Sequence, residues 1–141
     1  MSIQAIHSDN APAAVGPYSH AIAFNQVLYP AGQLGLIPES GVLAEGIEAQ
    51  THQAFENLSQ ICQSAHTTLA NALKVTVLIT DMANFSVVNR IMEELFQAPY
   101  PARTCFAVAA LPKGALVEID AIVAPVRFCR EYSFYVQPTA F

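Results

Sequence analysis

Apolar residues recur along this chain with two different periods, and each period predicts one kind of element. Between residues 47 and 65 they fall every three or four positions, with Glu and Gln on the opposite side, which indicates an amphipathic helix. We expect this helix to stop near His66, a residue type that tolerates positive φ. A second helix is predicted to begin after Asn84, as its N-cap, and to end before Pro99. Its apolar stripe consists of Val88, Ile91, Met92, Leu95 and Phe96.

Segments rich in β-branched and other apolar residues predict the strands. They cover residues 2–7, 19–24, 27–32, 73–80, 104–109 and 116–126. Asn25 suits the positive φ of a tight turn between the second and third segments. Residues 34–46, which include Pro38 and glycines, predict an irregular connection. Because helices cross between strands in this order, we expect parallel pairing and both helices on one face of the sheet.

One face of the predicted sheet has no helix to cover it, and the composition indicates that this face contacts another copy of the chain. Apolar residues make up 53% of the 141-residue chain and charged residues only 12%, about half the ~25% charge of typical soluble domains. So little charge favours burial of apolar surface between copies of the chain. We expect one domain over residues 1–127. The aromatic segment 128–141 favours a docked strand or a subunit contact over a free tail.

The charges, cysteines and histidines limit the classes of function. A net charge of −5, with six cationic side chains, argues against a nucleic-acid surface. Cys62, Cys105 and Cys129 are far apart and the four histidines lack ligand spacing, so we predict neither a disulfide nor a metal site. The glycines form neither a dinucleotide-binding fingerprint nor a phosphate-binding loop. Neither a signal peptide nor a membrane span is recognisable, which favours the cytoplasm.

Of five side chains that could have a chemical role, four are candidates. Arg103 comes shortly after Pro101, at the start of a strand. Its guanidinium group can donate two hydrogen bonds to a carboxylate or phosphate ligand. The alternative is a surface salt bridge. Glu118 and Asp120 share one face of a strand. Either both carboxylates are solvated, or one of them lies near Arg103 in a pocket and holds a water molecule or a proton there. Tyr18 offers a hydroxyl or anchors its loop. Cys105 fits a small buried hydrophobe better than a catalytic thiolate.

Five phrases cover most of the chain between residues 11 and 124. They are APAAVGPYSHA (11–21), AGQLGL (31–36), EAQTHQAFENL (48–58), KVTVLITDMANFSVVN (74–89) and PARTCFAVAALPKGALVEIDAI (101–122). In content and spacing they resemble the RidA (YjgF) family of reactive-intermediate deaminases. The resemblance implies a chorismate-mutase-like α+β fold with a mixed sheet. It also implies a homotrimer with three active sites in clefts between subunits.

The same resemblance implies a reaction and the residues for it. Short-lived enamines and imines of the 2-aminoacrylate/2-iminopropanoate type would be hydrolysed to a 2-keto acid and ammonia, without a cofactor. Arg103 would clamp the substrate carboxylate, Glu118 would orient the attacking water, and Tyr18 would line the pocket. Two residues of this chain depart from the family pattern. Ala31 stands where many members have serine, and Met92 where tyrosine is usual.

Further positions carry over from the resemblance in supporting roles. Backbone groups around Ala102 and Cys105 would hold the imine nitrogen and the water. Gly32 would let the backbone approach the ligand, next to Ala31, and Asn89 would line the site from the second helix. Two other functions stay open. One is a non-catalytic trimer that binds small carboxylates or a partner protein, and the other is a ribonuclease, which six cationic side chains support poorly.

Overall fold

A seven-stranded sheet with two helices on one face forms the structure, a computed structural model that describes residues 2–126. The strands are β1 (Gln4–Ile6), β2 (Ala21–Phe24), β3 (Val27–Pro30), β4 (Gln33–Leu34), β5 (Ala72–Ile79), β6 (Ala102–Ala107) and β7 (Val117–Val123). The helices are α1 (Gly46–Ser64) and α2 (Phe85–Leu95). The predicted single α+β domain with a mixed sheet is confirmed. The extension predicted over 128–141 lies outside the described residues.

The strand order corrects the predicted pairing. The sheet runs β1-β2-β3-β7-β5-β6, with β4 also paired to β7, and among the described strands only β5 and β6 pair in parallel. The last strand, β7, inserts between β3 and β5 and pairs with both in the antiparallel sense. A crossing helix therefore joins neighbouring parallel strands only once, where α2 connects β5 to β6.

Alternate residues of the two central strands face the helices and form the core. The buried positions are Val75, Val77 and Ile79 of β5, Val117, Ile119, Ala121 and Val123 of β7, and Ala54, Phe55, Leu58, Ile61 and Cys62 of α1. Burial of one large aliphatic or aromatic side chain stabilises the fold by about 1.5–3 kcal/mol. The alternation of β7 leaves Glu118 and Asp120 together on the opposite face, as predicted.

Three local predictions about the helices have different outcomes. The end of α1 is as expected, with His66 at φ 58° directly after the final turn. Asn84 does occupy the position before α2, but its side chain makes no capping bond; Asp81 instead accepts a bond from the Ala83 amide in the preceding short 3₁₀ turn. Leu95 was expected in the buried stripe and is 46% exposed, because α2 ends at that residue.

Buried polar groups of α1 fix the segment that leads from β4 into the helix. The Asn57 amide donates to the carbonyls of Leu34 and Leu36, at 3.1 and 2.9 Å. Gly35 lies so close to the backbone of Gln50 that an added Cβ would stand 2.5 Å from it. The helix therefore sets the position of β4, and with it the turn immediately before β4.

The face of the sheet away from the helices carries partly exposed apolar residues. They include Ile22, Tyr29, Leu78, Phe106 and Ile122. At the sheet's edge, β6 is mostly exposed along its whole length. In the described part of the chain, neither helix is long and apolar enough to cross a membrane.

Candidate active site

A cavity of about 360 Å³ lies beside β4 and β7 and contains four of the predicted site residues. Tyr18, Ala31, Gly32 and Glu118 line it, and Lys113 stands at its rim from the turn before β7. Pro12, Val15, Leu34 and Leu36 supply apolar wall. This cavity, hereafter the Glu118 pocket, combines one carboxylate, one phenol and one ammonium group with a mainly apolar lining.

Glu118 projects from β7 into this pocket. Glu118 pairs with Leu34 of β4 on one side of β7 and with Leu78 of β5 on the other. Burial, and secondarily the charge of Asp120, raise the pKa of the Glu118 carboxyl above its ordinary value. A carboxylate whose pKa is raised binds a proton more strongly, which suits a group that accepts a proton from water.

Gly32 makes room for that carboxylate. A Cβ at this position would stand 3.2 Å from the Glu118 Cδ and 3.3 Å from its Cγ, and closer still to a carboxylate oxygen. Glycine is therefore required by space and not by backbone conformation. The neighbouring Ala31 is held by its amide, which donates to the His20 carbonyl at 2.8 Å.

Buried His20 organises the loop that carries Tyr18. Its Nδ1 accepts from the Ser8 amide at 3.0 Å, and its Nε2 lies 2.9 Å from the Pro12 carbonyl. An amide can only donate and a carbonyl only accept, so the imidazole is neutral with its proton on Nε2. Tyr18 itself is half exposed, and its hydroxyl accepts from the Val15 amide at 3.4 Å. Tyr18 thus closes its own loop while it lines the pocket.

A second cluster surrounds Arg103 at the edge of the sheet. The guanidinium donates to the Asn89 Oδ1 at 2.5 Å and lies 3.7 Å from the Met92 sulfur. It also sits 5.0 Å from the centre of the Phe85 ring, a cation–π distance. Within residues 2–126, no carboxylate forms an ion pair with Arg103. The predicted alternative of a surface salt bridge is therefore not what holds this arginine.

The neighbours of Arg103 in β6 lie on the outermost strand of the sheet. Ala102 and Cys105 pair with Lys74 and Val77 of β5, which leaves the outer side of the strand without a partner strand in the described residues. Burial raises the pKa of the half-buried Cys105 thiol, against the opposing charge of Arg103. The thiol is thus protonated at neutral pH, which disfavours it as a nucleophile.

The two clusters do not meet within one chain. Arg103 pairs with Val75 and faces the helices, whereas Glu118 pairs with Leu78 and faces the other side of the sheet. The whole of β5 also separates their strands. The expectation that Glu118 lies near Arg103 is therefore wrong for a single chain.

Sequence reasoning missed two residues of these clusters. Phe85 lies four positions before Asn89 on the same side of α2, so the spacing of Phe85, Asn89 and Met92 carried a signal for one shared face. Lys113 has φ 58° within its 3₁₀ turn, and nothing in the sequence indicated that it would reach the pocket. Among residues 2–126, no cluster of His, Cys, Asp and Glu could hold a metal ion.

Known proteins resemble this chain over nearly all its described length. Residues 8–125 match the family model described as Endoribonuclease L-PSP. A 2-iminobutanoate/2-iminopropanoate deaminase of Bos taurus is 44% identical over 118 residues, which cover 83% of this chain and 86% of that protein. A crystal structure of RidA from the Antarctic bacterium Psychrobacter sp. PAMC 21119 has 45% identity and a TM-score of 0.84, covering 86% and 98% of the two chains.

A more distant relative is informative because of its ligand. The crystal structure of E. coli TdcF with bound serine has 31% identity and a TM-score of 0.82, and the match covers 86% of this chain and 98% of that one. The family match over residues 8–125 includes the Glu118 pocket and the cluster around Arg103. Fold, sequence and extent of the match agree, and the chain belongs to the RidA (YjgF) family.

Proposed function

We propose that this protein hydrolyses short-lived imines and enamines of small 2-keto acids, such as 2-iminopropanoate and 2-aminoacrylate, and releases ammonia. The observation that carries the proposal is Arg103, a guanidinium oriented by Asn89 and Phe85 and left without a carboxylate among the described residues. Relatives named 2-iminobutanoate/2-iminopropanoate deaminase support the reaction class. The serine bound to TdcF carries the same α-carboxylate group.

Arg103 recognises the substrate in this scheme. Its planar fork can donate two parallel hydrogen bonds to a carboxylate, which fixes both the position and the plane of the ligand. Asn89 and Met92 hold the guanidinium at one side and the Phe85 ring lies against it. The side chain is therefore ordered before the ligand arrives, and less entropy is lost when the ligand binds.

Glu118 activates the water. The carboxylate accepts one proton from the water as the water oxygen forms a bond to the carbon of the protonated imine, which gives a neutral carbinolamine. That proton then passes from Glu118 to the nitrogen, the carbon–nitrogen bond breaks, and ammonia leaves as the hydroxyl group gives its proton to Glu118 and becomes the carbonyl of the 2-keto acid. An enamine first takes a proton on its terminal carbon and becomes the same protonated imine. Because an iminium carbon is already electrophilic, positioning and one base supply what the reaction needs.

Assembly is part of this proposal. Arg103 and Glu118 face opposite sides of one sheet, so a substrate that contacts both must lie between two chains. Ring closure by identical head-to-tail contacts satisfies this requirement, and the family resemblance gives three as the number of copies. The partly exposed apolar face with Tyr29, Leu78 and Phe106 and the open edge at β6 would become the subunit contacts.

A direct assay tests the reaction. An amino-acid oxidase generates the imine in solution, and its disappearance is followed with and without the protein. We expect Arg103→Ala to lower kcat/KM by about 30-fold or more, because removal of one member of a close charge pair costs roughly 2–5 kcal/mol. Arg90→Ala is the matched control, since Arg90 lies on α2 and is already paired with Glu48 and Glu94. Unaccelerated imine decay with the wild-type protein would refute the proposal.

A subunit-mixing experiment tests the shared site. Arg103→Ala and Glu118→Gln chains should each be inactive alone. When they are refolded together in equal amounts, about a quarter of wild-type activity should return, because each site takes one residue from each of two randomly chosen chains. Failure of the mixture to recover activity, with mixed assemblies demonstrated by mass spectrometry, contradicts a site between chains.

The same measurements separate this function from the two alternatives. A non-catalytic binder would bind a 2-keto acid in calorimetry, dependent on Arg103, without accelerating imine loss. A ribonuclease needs a cationic track for phosphates, and of the four cations in residues 2–126 Arg90 is occupied by two glutamates. We place the activity in the cytoplasm, where the free thiols of Cys62 and Cys105 suit a reducing compartment.

A further inference from the structure

A second cavity, larger than the Glu118 pocket, lies away from the candidate site. It is a groove of about 610 Å³ between one side of α1, residues 68–70 and the end of α2, hereafter the helix-face groove. Ile37, Phe55, Leu69, Leu95 and Phe96 form its apolar lining. Neither Arg103 nor Glu118 takes part in it, and the reaction proposed above makes no use of it.

Apolar exposure at the groove calls for a partner. Leu95 belongs to the apolar stripe of α2 and is nevertheless 46% exposed at the groove wall. Apolar surface left in water costs about 25 cal/mol per Å² relative to its burial, so an apolar segment laid into the groove would gain stability. The groove also has polar groups, of which His52, Glu56 and Ser59 can bond to tyrosine hydroxyls or to arginine.

The described chain ends beside this groove. The Pro125 carbonyl accepts from the Thr67 hydroxyl at 2.9 Å, and the Val126 amide donates to the Gln26 carbonyl at 2.9 Å. Thr67 directly precedes residues 68–70, which form one wall of the groove. Residue 127 therefore starts within a few residues' length of the groove, and fifteen residues follow Val126 in the sequence. Fully extended, a segment of that length reaches roughly 50 Å.

The composition of this last segment matches the groove. Five of the thirteen aromatic residues of the chain fall within it: Phe128, Tyr132, Phe134, Tyr135 and Phe141. It also holds Arg127 and Arg130, which complement Glu56 at the groove. Aromatic side chains bury a large area with few rotatable bonds, and a tyrosine hydroxyl can keep a polar partner.

We propose that residues 127–141 bind in the helix-face groove of their own chain and cover Leu95 and Leu69 with aromatic side chains. The groove then becomes an internal docking surface that completes the apolar layer over α1 and α2. This inference goes beyond the proposed function and does not depend on it, because neither the Glu118 pocket nor the cluster around Arg103 is involved.

Because the chain contains no tryptophan, the fluorescence of one introduced tryptophan reports on that position alone. The full-length Phe134→Trp variant carries a single indole in the segment. We expect its fluorescence emission to be blue-shifted and its quenching by acrylamide to be weak, because the indole is buried against the groove. Adding Leu95→Glu or Ala70→Glu should shift the emission to the red and increase quenching. Both residues line the groove and are exposed, so circular dichroism should show an intact fold.

Met82→Glu is the matched control, since Met82 is 48% exposed, close to the 46% of Leu95, and lies outside the groove. It should leave the emission unchanged. The proposal is overturned if the emission of Phe134→Trp is not blue-shifted and acrylamide quenches it fully. It is also overturned if the emission is blue-shifted but neither Leu95→Glu nor Ala70→Glu changes it. Concentration-dependent association that Leu95→Glu abolishes, together with an exposed indole, would instead assign the groove to a second copy of the chain.

Discussion

Gly32 lies against the carboxylate of Glu118, and the space between them leaves no room for a methyl group. The contact joins the turn before β4 to the middle of β7, so two separate segments of the sequence define one pocket. The pocket is therefore sensitive to changes that leave its charged residue untouched.

Gly32→Ala should damage the site more than the fold. The added Cβ must push aside the Glu118 side chain, which is the flexible member of the contact. We expect kcat for imine hydrolysis to fall by about 10²-fold, as for other displacements of roughly 1 Å at a reacting centre. Gly35→Ala gives the opposite result. Its Cβ would meet the Gln50 backbone at 2.5 Å, which cannot move away, so the free energy of unfolding should fall by about 1–3 kcal/mol.

Urea unfolding and steady-state kinetics on both glycine variants check this pair. A Gly32→Ala protein with full activity would show that Glu118 does not need its present position.

Asp120→Asn should move the acid limb of the pH–rate profile to lower pH. Burial and the charge of Asp120 both raise the pKa of Glu118, and the substitution removes the second cause. Activity falls as pH drops through the pKa of Glu118, because protonation removes the base. A lowered pKa therefore extends activity toward acid. Profiles of kcat/KM for wild type, Asp120→Asn and the distant control Glu45→Gln provide the measurement, and a limb that moves to higher pH contradicts the assignment of Glu118 as the base.

Asn89→Ala should weaken substrate binding through Arg103. The side chain of Asn89 accepts a hydrogen bond from the guanidinium, and bonds to charged groups are worth about 1.5–3 kcal/mol. We expect KM to rise about tenfold or more with little change in kcat, since Asn89 orients the arginine and does not touch the reacting carbon. Ser86→Ala, an exposed position on the same helix, is the control. An unchanged KM would mean that Phe85 and Met92 suffice to hold the arginine.

His20→Ala should destabilise the protein by about 1–3 kcal/mol, because it leaves the buried Ser8 amide and the Pro12 carbonyl without their partner. His7→Ala is an informative control. The two rings stack with 5.0 Å between their centres, but His7 is exposed and, within residues 2–126, otherwise forms an exposed ion pair with Asp9. Removal of the His7 side chain should lower the free energy of unfolding by about 1 kcal/mol at most. Equal free energies of unfolding for the two variants would contradict the anchoring role of His20.

Local patterns predicted much of this structure and did so for physical reasons. The period-two alternation of β7 placed Glu118 and Asp120 on one face, and the tolerance of His66 for positive φ marked the end of α1. Asn25 has the positive φ that was predicted for the hairpin turn, and the next residue, Gln26, is also left-handed at φ 65°. These features depend on residues that are neighbours in the sequence, so short-range pattern carries them.

The failures concern relations between distant segments. Whether Arg103 faces the helices or the other side depends on its register with Val75, and that register is set by how β6 docks on β5. The insertion of β7 between β3 and β5 likewise depends on a competition among strands that no local pattern records. The exposure of Leu95 reflects where α2 stops relative to α1. Candidate site residues could therefore be named from the sequence, but their arrangement could not.

The opposite facing of Arg103 and Glu118 has a kinetic consequence. No rotation of side chains within one chain can bring the two groups onto the same substrate, since a continuous sheet separates them. A reaction that uses both is therefore not first order in protein at high dilution. Its specific activity, measured per mole of chain, should decline once the protein concentration drops below the dissociation constant of the assembly, and the dilution curve would report that constant directly.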